Sequence, residues 1–100
     1  MANGYKIRWT ENALSELAEI IYYLKTHWTE RELNRFSSDL DHTIQLISKN
    51  PKLFQASIEK PDIRKAVILK LNTLYYRVNS GSVEILSLYL NRKNPEKRKL

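Results

Sequence analysis

A chain of 100 residues without cysteine has the length of a single domain, expected here over residues 1–100, and excludes disulfides and thiolate metal ligands. Its composition, 42% hydrophobic with only 2 Gly and 3 Pro, is globular and excludes disordered and fibrous classes. The net charge of +6 is unevenly distributed along the chain. Residues 60–100 hold 10 Lys/Arg and 3 Asp/Glu (+7), whereas residues 1–59 hold 7 Lys/Arg and 8 Asp/Glu (−1). This excess of positive charge in one part of the chain indicates an anionic partner.

The first predicted element is a half-buried strand over Tyr5–Thr10. Its side chains alternate, with Tyr5, Ile7 and Trp9 on one face and Lys6 and Arg8 on the other. Thr10 has the character of a helix N-cap, and the helix should run from Glu11 to about His27. Its apolar residues recur at steps of three and four and should share one face: Leu14, Leu17, Ile21, Leu24 and Trp28.

A second helix follows almost without a loop. The segment Thr29-Glu-Arg-Glu32 has the pattern of a capping box. Apolar residues then recur at helical spacing, at Leu33, Phe36, Leu40, Ile44 and Ile47. The helix should stop before Pro51, which cannot continue it. So short a connection predicts an antiparallel helical hairpin.

Three strands are predicted after an irregular loop over residues 51–63. They cover Arg64–Lys70, Thr73–Val78 and Val83–Leu90, and Ser80-Gly81 marks a hairpin turn between the last two. We therefore predict an α+β fold. It consists of an N-terminal strand, the helical hairpin and a three-stranded antiparallel meander, with the helices packed on one twisted sheet.

The residue types do not favour a metal or cofactor site. His27 and His42 lie on predicted helices without a second ligand at metal spacing, and Gly4 and Gly81 make no phosphate-binding loop. No apolar run approaches the roughly 20 residues of a membrane-spanning helix, and no signal peptide is evident. We expect a cytoplasmic protein without cofactor, metal or membrane contact.

Cations at the ends of the predicted strands are the main functional signal. Arg64 and Lys65 open the second strand, and Arg92 and Lys93 follow the fourth. Guanidinium groups suit phosphate or carboxylate because they offer two donors in one plane. In a meander the start of the second strand and the end of the fourth lie at opposite ends, so the charge should form a stripe. For each single Arg, a salt bridge at the rim is the alternative.

Alternation on the third strand separates a core face from a surface face. Leu74, Tyr76 and Val78 should face the core, which leaves Tyr75 and Arg77 as the surface pair.

The sequence resembles the RelE/ParE family of type II toxin–antitoxin toxins over nearly its whole length, and the ParE-like, plasmid-stabilisation branch most closely. The resemblance is carried by the following stretches in this order: Tyr5–Thr10, Asn50-Pro51, Ile63–Val67, Leu74–Val78 and Ile85–Pro95. It implies the same α+β fold, with the helices packed on the sheet. It also implies a toxin that arrests growth until its cognate antitoxin binds.

The resemblance also implies site residues. Arg64, Arg77, Arg92, Lys93 and Pro95 match the ParE-like pattern. The target- or antitoxin-binding set is then Arg64, Lys65, Tyr75, Arg77, Arg92 and Lys93, and the candidates for catalysis, if any, are Arg64, Arg77, Tyr89 and Arg92. Leu90 departs from the pattern, because a polar residue is usual at that position.

Three functions follow as expectations from the resemblance. The first is inhibition of DNA gyrase by binding rather than catalysis. The second is ribosome-dependent cleavage of mRNA, for which this sequence supplies cations readily and a base poorly. The third is a decayed toxin that retains only antitoxin binding, which Leu90 motivates.

Overall fold

Two helices pack on one face of a four-stranded sheet in the computed structural model, which describes residues 4–68 and 72–90. The elements are β1 (Lys6–Trp9), α1 (Glu11–His27), α2 (Glu30–Lys49), β2 (Ile63–Ile68), β3 (Asn72–Asn79) and β4 (Ser82–Leu90). The predicted order of elements and the α+β class are confirmed. The predicted end of β2 at Lys70 lies outside the described residues.

The sheet is mixed, with strand order β1-β4-β3-β2. The predicted meander is confirmed, because β3 pairs antiparallel with both β2 and β4. The N-terminal strand β1 pairs parallel with β4, with Lys6 opposite Ser82 and Trp9 opposite Ile85. The sequence signals did not determine this neighbour, because alternation within a strand says nothing about which edge the strand joins.

Thr10 joins β1, α1 and β4. Its side chain accepts a hydrogen bond from the Ala13 amide at 3.1 Å, which confirms the predicted N-cap. The same hydroxyl donates to the Ile85 carbonyl at 2.8 Å, and the Thr10 amide donates to that carbonyl at 3.1 Å. The start of α1 is therefore fixed to the middle of the last strand.

Beyond Trp9 the outer edge of β4 is covered by polar side chains of α1 instead of a strand. Asn12 donates to the Leu86 carbonyl at 3.0 Å. Glu16 accepts from the Leu88 amide at 3.0 Å and from the Ser87 hydroxyl at 2.7 Å. These contacts satisfy backbone groups that an open strand edge would leave to solvent or to another chain.

The predicted apolar face of α1 needs two corrections, at Leu14 and at Ile21, because the buried residues are their neighbours Ala13 and Ile20. Leu14 is 50% exposed, whereas Ala13 is fully buried. The buried residues Ala13, Ile20 and Leu24 define a face on which Leu17 also packs, and Leu14 lies at its rim. Side-chain size misled the prediction at Leu14, since the buried position is held by the small side chain of Ala13.

The second helix matches its prediction. The Thr29 hydroxyl accepts from the Glu32 amide at 3.2 Å, and the Glu32 carboxylate accepts from the Thr29 amide at 3.1 Å, so the capping box is complete. Phe36, Leu40 and Ile47 are buried against the sheet. Neither helix among the described residues is long and apolar enough to cross a membrane.

Tyr76 lies in the centre of the core, as predicted, and is fully buried. Its hydroxyl donates to the Pro51 carbonyl at 2.7 Å, which ties the end of the α2 region to β3. Burial raises the pKa of Tyr76 above its ordinary value, and the nearby positive charge of Arg64 offsets part of that rise. The phenol therefore remains a neutral donor at physiological pH.

We expect Tyr76→Phe to lower the free energy of unfolding by about 1–2 kcal/mol, because the buried Pro51 carbonyl loses its donor. Urea denaturation at neutral pH measures the change. Tyr22→Phe is the matched control, because Tyr22 is 71% exposed and its hydroxyl should contribute little. Equal stability of the two variants would contradict a structural role for the Tyr76 hydroxyl.

Candidate functional site

The sheet has a helix-facing side and an opposite side, which we call the open face. Directly paired residues project to the same side, so the register assigns each residue to a face. Lys6, Arg8, Lys65, Arg77 and Glu84 belong to the open face. Of the predicted site residues, Lys65, Tyr75, Arg77 and Tyr89 lie on this side of the sheet.

Arg77 forms ion pairs across the open face. Its Nη2 donates to Glu84 Oε1 at 3.0 Å, and its Nη1 lies 3.9 Å from Asp62 Oδ2. The hydrogen bond from Arg77 is the main cause that holds the pKa of Glu84 below its ordinary value, and a hydrogen bond from Asn79 adds to it. The rim salt bridge considered as an alternative for each arginine is thus what Arg77 makes.

Arg64 lies on the helix-facing side, opposite Tyr76 in the register. Its Nη1 donates to the Phe54 carbonyl at 2.7 Å in a partly buried position. Arg64 and Arg77 therefore project to opposite sides of the sheet, and their guanidinium groups do not share one site. The strand begins at Ile63, one residue before the predicted start.

Lys65 and Tyr75 are opposite each other on the open face and line one surface pocket of about 260 Å³. The other lining residues are Gln55, Ala56, Ser57, Ile58 and Glu59. This segment lies beside β2 because the Lys65 amide donates to the Gln55 carbonyl at 3.1 Å and the Ser57 amide donates to the Ile63 carbonyl at 2.6 Å. The sequence showed only an irregular loop here, since two such backbone bonds leave no periodic signal.

The prediction of a surface-exposed Tyr75 is corrected. Its side chain is only 7% exposed, and its ring packs edge-on against Tyr89 with ring centres 6.0 Å apart. Tyr89 itself is half-buried. Tyr75 can present at most a rim of its ring to a ligand in the pocket, so Lys65 is the accessible member of the pair.

Leu90 ends β4 on the helix-facing side and packs at the border of the core. Arg92 and Lys93 lie outside the described residues. The register places Ile63 beside Arg77 at one end of the sheet, and Ile68, Asn72 and Leu90 side by side at the other. The start of β2 and the end of β4 are thus at opposite ends, as predicted, and the charged positions are spread along the sheet.

Lys6 and Arg8 were not among the predicted site residues. Both are exposed on β1, and Arg8 is directly opposite Glu84. The alternation of the first segment separated them from Ile7 and Trp9, but only the pairing of β1 with β4 shows that they extend the same open face. Within the described residues, no group of three His, Cys, Asp or Glu side chains is placed to hold a metal ion.

We expect Glu84→Gln to change how stability depends on pH. A carboxyl whose pKa is lowered on folding stabilises the fold above its unfolded-state pKa of about 4.3 and loses that contribution as pH falls through the folded-state pKa. Acidification below about pH 4.3 should therefore destabilise the parent chain more than the variant.

Denaturant titrations between pH 6 and pH 3 test this expectation. Glu19→Gln is the control, because Glu19 is an exposed glutamate of α1 without an ion pair among the described residues. Parallel pH profiles for the parent chain and Glu84→Gln would show that the pair with Arg77 contributes nothing.

Comparison with known proteins identifies the family. A family model described as the ParE toxin of type II toxin–antitoxin systems, parDE, matches residues 7–95. Among solved structures, the chain is similar to one of the chromosomal ParDE toxin–antitoxin system from P. aeruginosa, with a TM-score of 0.71 and 14% identity, covering 89% of this chain and 98% of that one.

A second similar structure is the solution structure of the conserved hypothetical protein HP0894 from Helicobacter pylori, with a TM-score of 0.51 and 15% identity over 88% of this chain and 96% of that one. A comparison with curated proteins gave no match. The two structural likenesses support the fold, and the family model covers most of the chain. This chain belongs to the ParE toxin family of type II toxin–antitoxin systems.

Proposed function

We propose that this toxin arrests growth by binding DNA gyrase, without a chemical step of its own, and that a cognate antitoxin relieves the arrest. The observation that supports a mechanism without a chemical step is the bonding of two candidate catalytic arginines. Arg64 donates to a backbone carbonyl and Arg77 to a carboxylate, so both guanidinium groups are used in holding the fold. Guanidinium groups that already bind acceptors within the protein are poorly placed to stabilise a reacting phosphate, so this arrangement suits binding better than catalysis.

The proposed contact residues are the cations Lys65, Arg92 and Lys93. Lys65 is exposed beside the pocket on the open face. Arg92 and Lys93 follow β4 in the sequence, and we retain them as candidates on the family pattern alone. Arg64, Tyr75 and Arg77 are then supports that hold β2, β3 and the 55–59 segment in place around Lys65.

The antitoxin should use two kinds of contact. An acidic segment would meet the basic stripe, and an apolar part would pack by the helical hairpin, where α1 leaves Leu14 50% exposed and Tyr22 71% exposed. Apolar burial would supply most of the affinity, while charge would raise the association rate.

Ribosome-dependent mRNA cleavage is the second candidate function. Tyr89 supports it, because a half-buried tyrosine on the open face at the end of β4 has a hydroxyl that can take part in acid–base chemistry. Tyr89→Phe distinguishes the two functions. It should leave gyrase inhibition intact and would abolish toxicity if this hydroxyl took part in cleavage.

We expect induction of the parent chain in a bacterial host to arrest growth, with altered plasmid supercoiling, a DNA-damage response and intact transcripts. The in vitro counterpart is inhibition of purified gyrase in a supercoiling assay. Transcripts cut during translation, together with unchanged supercoiling, would contradict the proposal and favour the endonuclease.

We expect Lys65→Ala and Arg92→Ala each to weaken gyrase inhibition by about tenfold, corresponding to roughly 1.4 kcal/mol of binding free energy. Lys25→Ala is the matched control, since Lys25 is an exposed cation in the last turn of α1, away from the open face. Equal loss in all three variants at equal soluble levels would point to a general charge effect and against this site.

The decayed-toxin alternative has its own test at Leu90. If the parent chain is not toxic, Leu90→His restores a polar residue at the position where the family pattern has one. A gain of toxicity would identify Leu90 as the cause of the loss. No gain would argue against it.

A further inference from the structure

The open face carries exposed cations on its two edge strands and an ion-pair network at its centre. Lys6 and Arg8 lie on β1, and Lys65 lies on β2 at the other edge. All three side chains are exposed, and none has a carboxylate within ion-pair distance among residues 4–68 and 72–90. The cations on the edges are therefore available to a ligand.

The centre of the open face differs from its edges. Arg77 and Glu84 form a 3.0 Å ion pair on the two central strands, and Asp62, just before β2, lies 3.9 Å from the same guanidinium group. Arg8 is opposite Glu84 and adds to the lowering of its pKa, but Arg77 holds the hydrogen bond. The face thus has exposed cations at its two edges, which we call its borders, and, between them, an ion-pair network in which one arginine faces two carboxylates.

The distance between the borders follows from the sheet. The edge strands β1 and β2 are three strand spacings apart, which is roughly 14 Å at about 4.8 Å per spacing. Lysine and arginine side chains extend several ångströms beyond the strands. The two borders can therefore contact two rows of negative charge that are about as far apart as the edge strands. The two sugar–phosphate backbones on either side of a groove in duplex DNA are such a pair of rows.

The surface between the borders suits a nucleic acid better than a protein. Lys6, Ser82 and Asn79 are aligned across three strands, so small polar groups lie directly beside the cation. Such groups commonly hydrogen-bond phosphate and sugar oxygens. A protein partner usually needs an apolar anchor at the centre of its interface. Among the described residues, the exposed apolar side chains on this side are Val67 on the edge strand β2 and Ile58 in the segment beside that strand, so neither lies at the centre of the face.

We propose that the open face binds the phosphate backbones of duplex DNA without sequence preference, with Lys6 and Arg8 on one backbone and Lys65 on the other. Glu59 lines the pocket beside Lys65 and weakens that border, so β1 contributes the larger share. The biological setting rests on the proposed function, since a gyrase-binding toxin acts beside the DNA that gyrase holds. The binding itself does not depend on it.

Fluorescence anisotropy with a labelled 20-base-pair duplex and the full chain tests the proposal without gyrase. Each phosphate contact contributes about 0.9 to the slope of log affinity against log salt concentration. The variant Lys6→Gln/Arg8→Gln should therefore reduce the magnitude of that slope by about 1.8, and Lys65→Gln by at most about 0.9.

The control is Lys25→Gln/Arg31→Gln, which removes one Lys and one Arg from exposed positions on the two helices. All five Lys/Arg of residues 91–100 remain in every variant. An unchanged slope in the β1 variant, or an equal change in the control, would overturn the proposal. The first result would leave Lys6 and Arg8 with only the role that charges often have on edge strands, which is to prevent strand pairing between molecules.

A further arm replaces the duplex with poly-L-glutamate of matched charge. We expect it to bind more weakly than DNA and to be less sensitive to Lys6→Gln/Arg8→Gln. Tighter binding of poly-L-glutamate, lost in the β1 variant, would overturn the proposal in favour of an acidic protein on this face. Gyrase inhibition is measured separately, so a failure of DNA binding is distinguishable from a failure of the proposed function.

Discussion

The fold depends on the junction at Thr10, where one residue ends β1, caps α1 and hydrogen-bonds to β4. Its hydroxyl and amide both donate to the Ile85 carbonyl, and the hydroxyl also accepts from Ala13. These bonds fix the first helix to the last strand, so α1 runs along the edge that β1 leaves uncovered. The pairing of β1 with β4, and with it the width of the open face, follows from this constraint.

Local signals were enough to predict the helices and most strand positions. The cap at Thr10 and the capping box from Thr29 to Glu32 are interactions between near neighbours, so they can be read from the sequence. The parallel pairing of β1 with β4 and the bulge at Leu86 depend on partners far along the chain. At the bulge, Tyr75 is opposite Ser87 but Tyr76 is opposite Ile85. No periodicity encodes these pairings.

The candidate site also has features that the sequence predicted and features that only the structure shows. The sequence indicated Arg64 and Lys65 as cations at a strand end and Arg77 by alternation within a strand, but it could not assign their partners. Alternation puts Arg64 and Arg77 on opposite sides of the sheet, and one binds a carbonyl while the other binds Glu84. What the described residues offer a ligand is a broad charged surface with a pocket beside Lys65, which suits recognition of a large partner.

The neighbourhood of β1 and β4 also has a consequence for synthesis. Thr10 and Ile85 are 75 positions apart, so the first strand emerges from the ribosome long before its partner exists. At roughly 5–20 residues per second this interval lasts on the order of 4–15 s. A nascent toxin therefore cannot complete its sheet until β4 has been made. During this interval the growing chain has its first strand but lacks the strand with which it pairs.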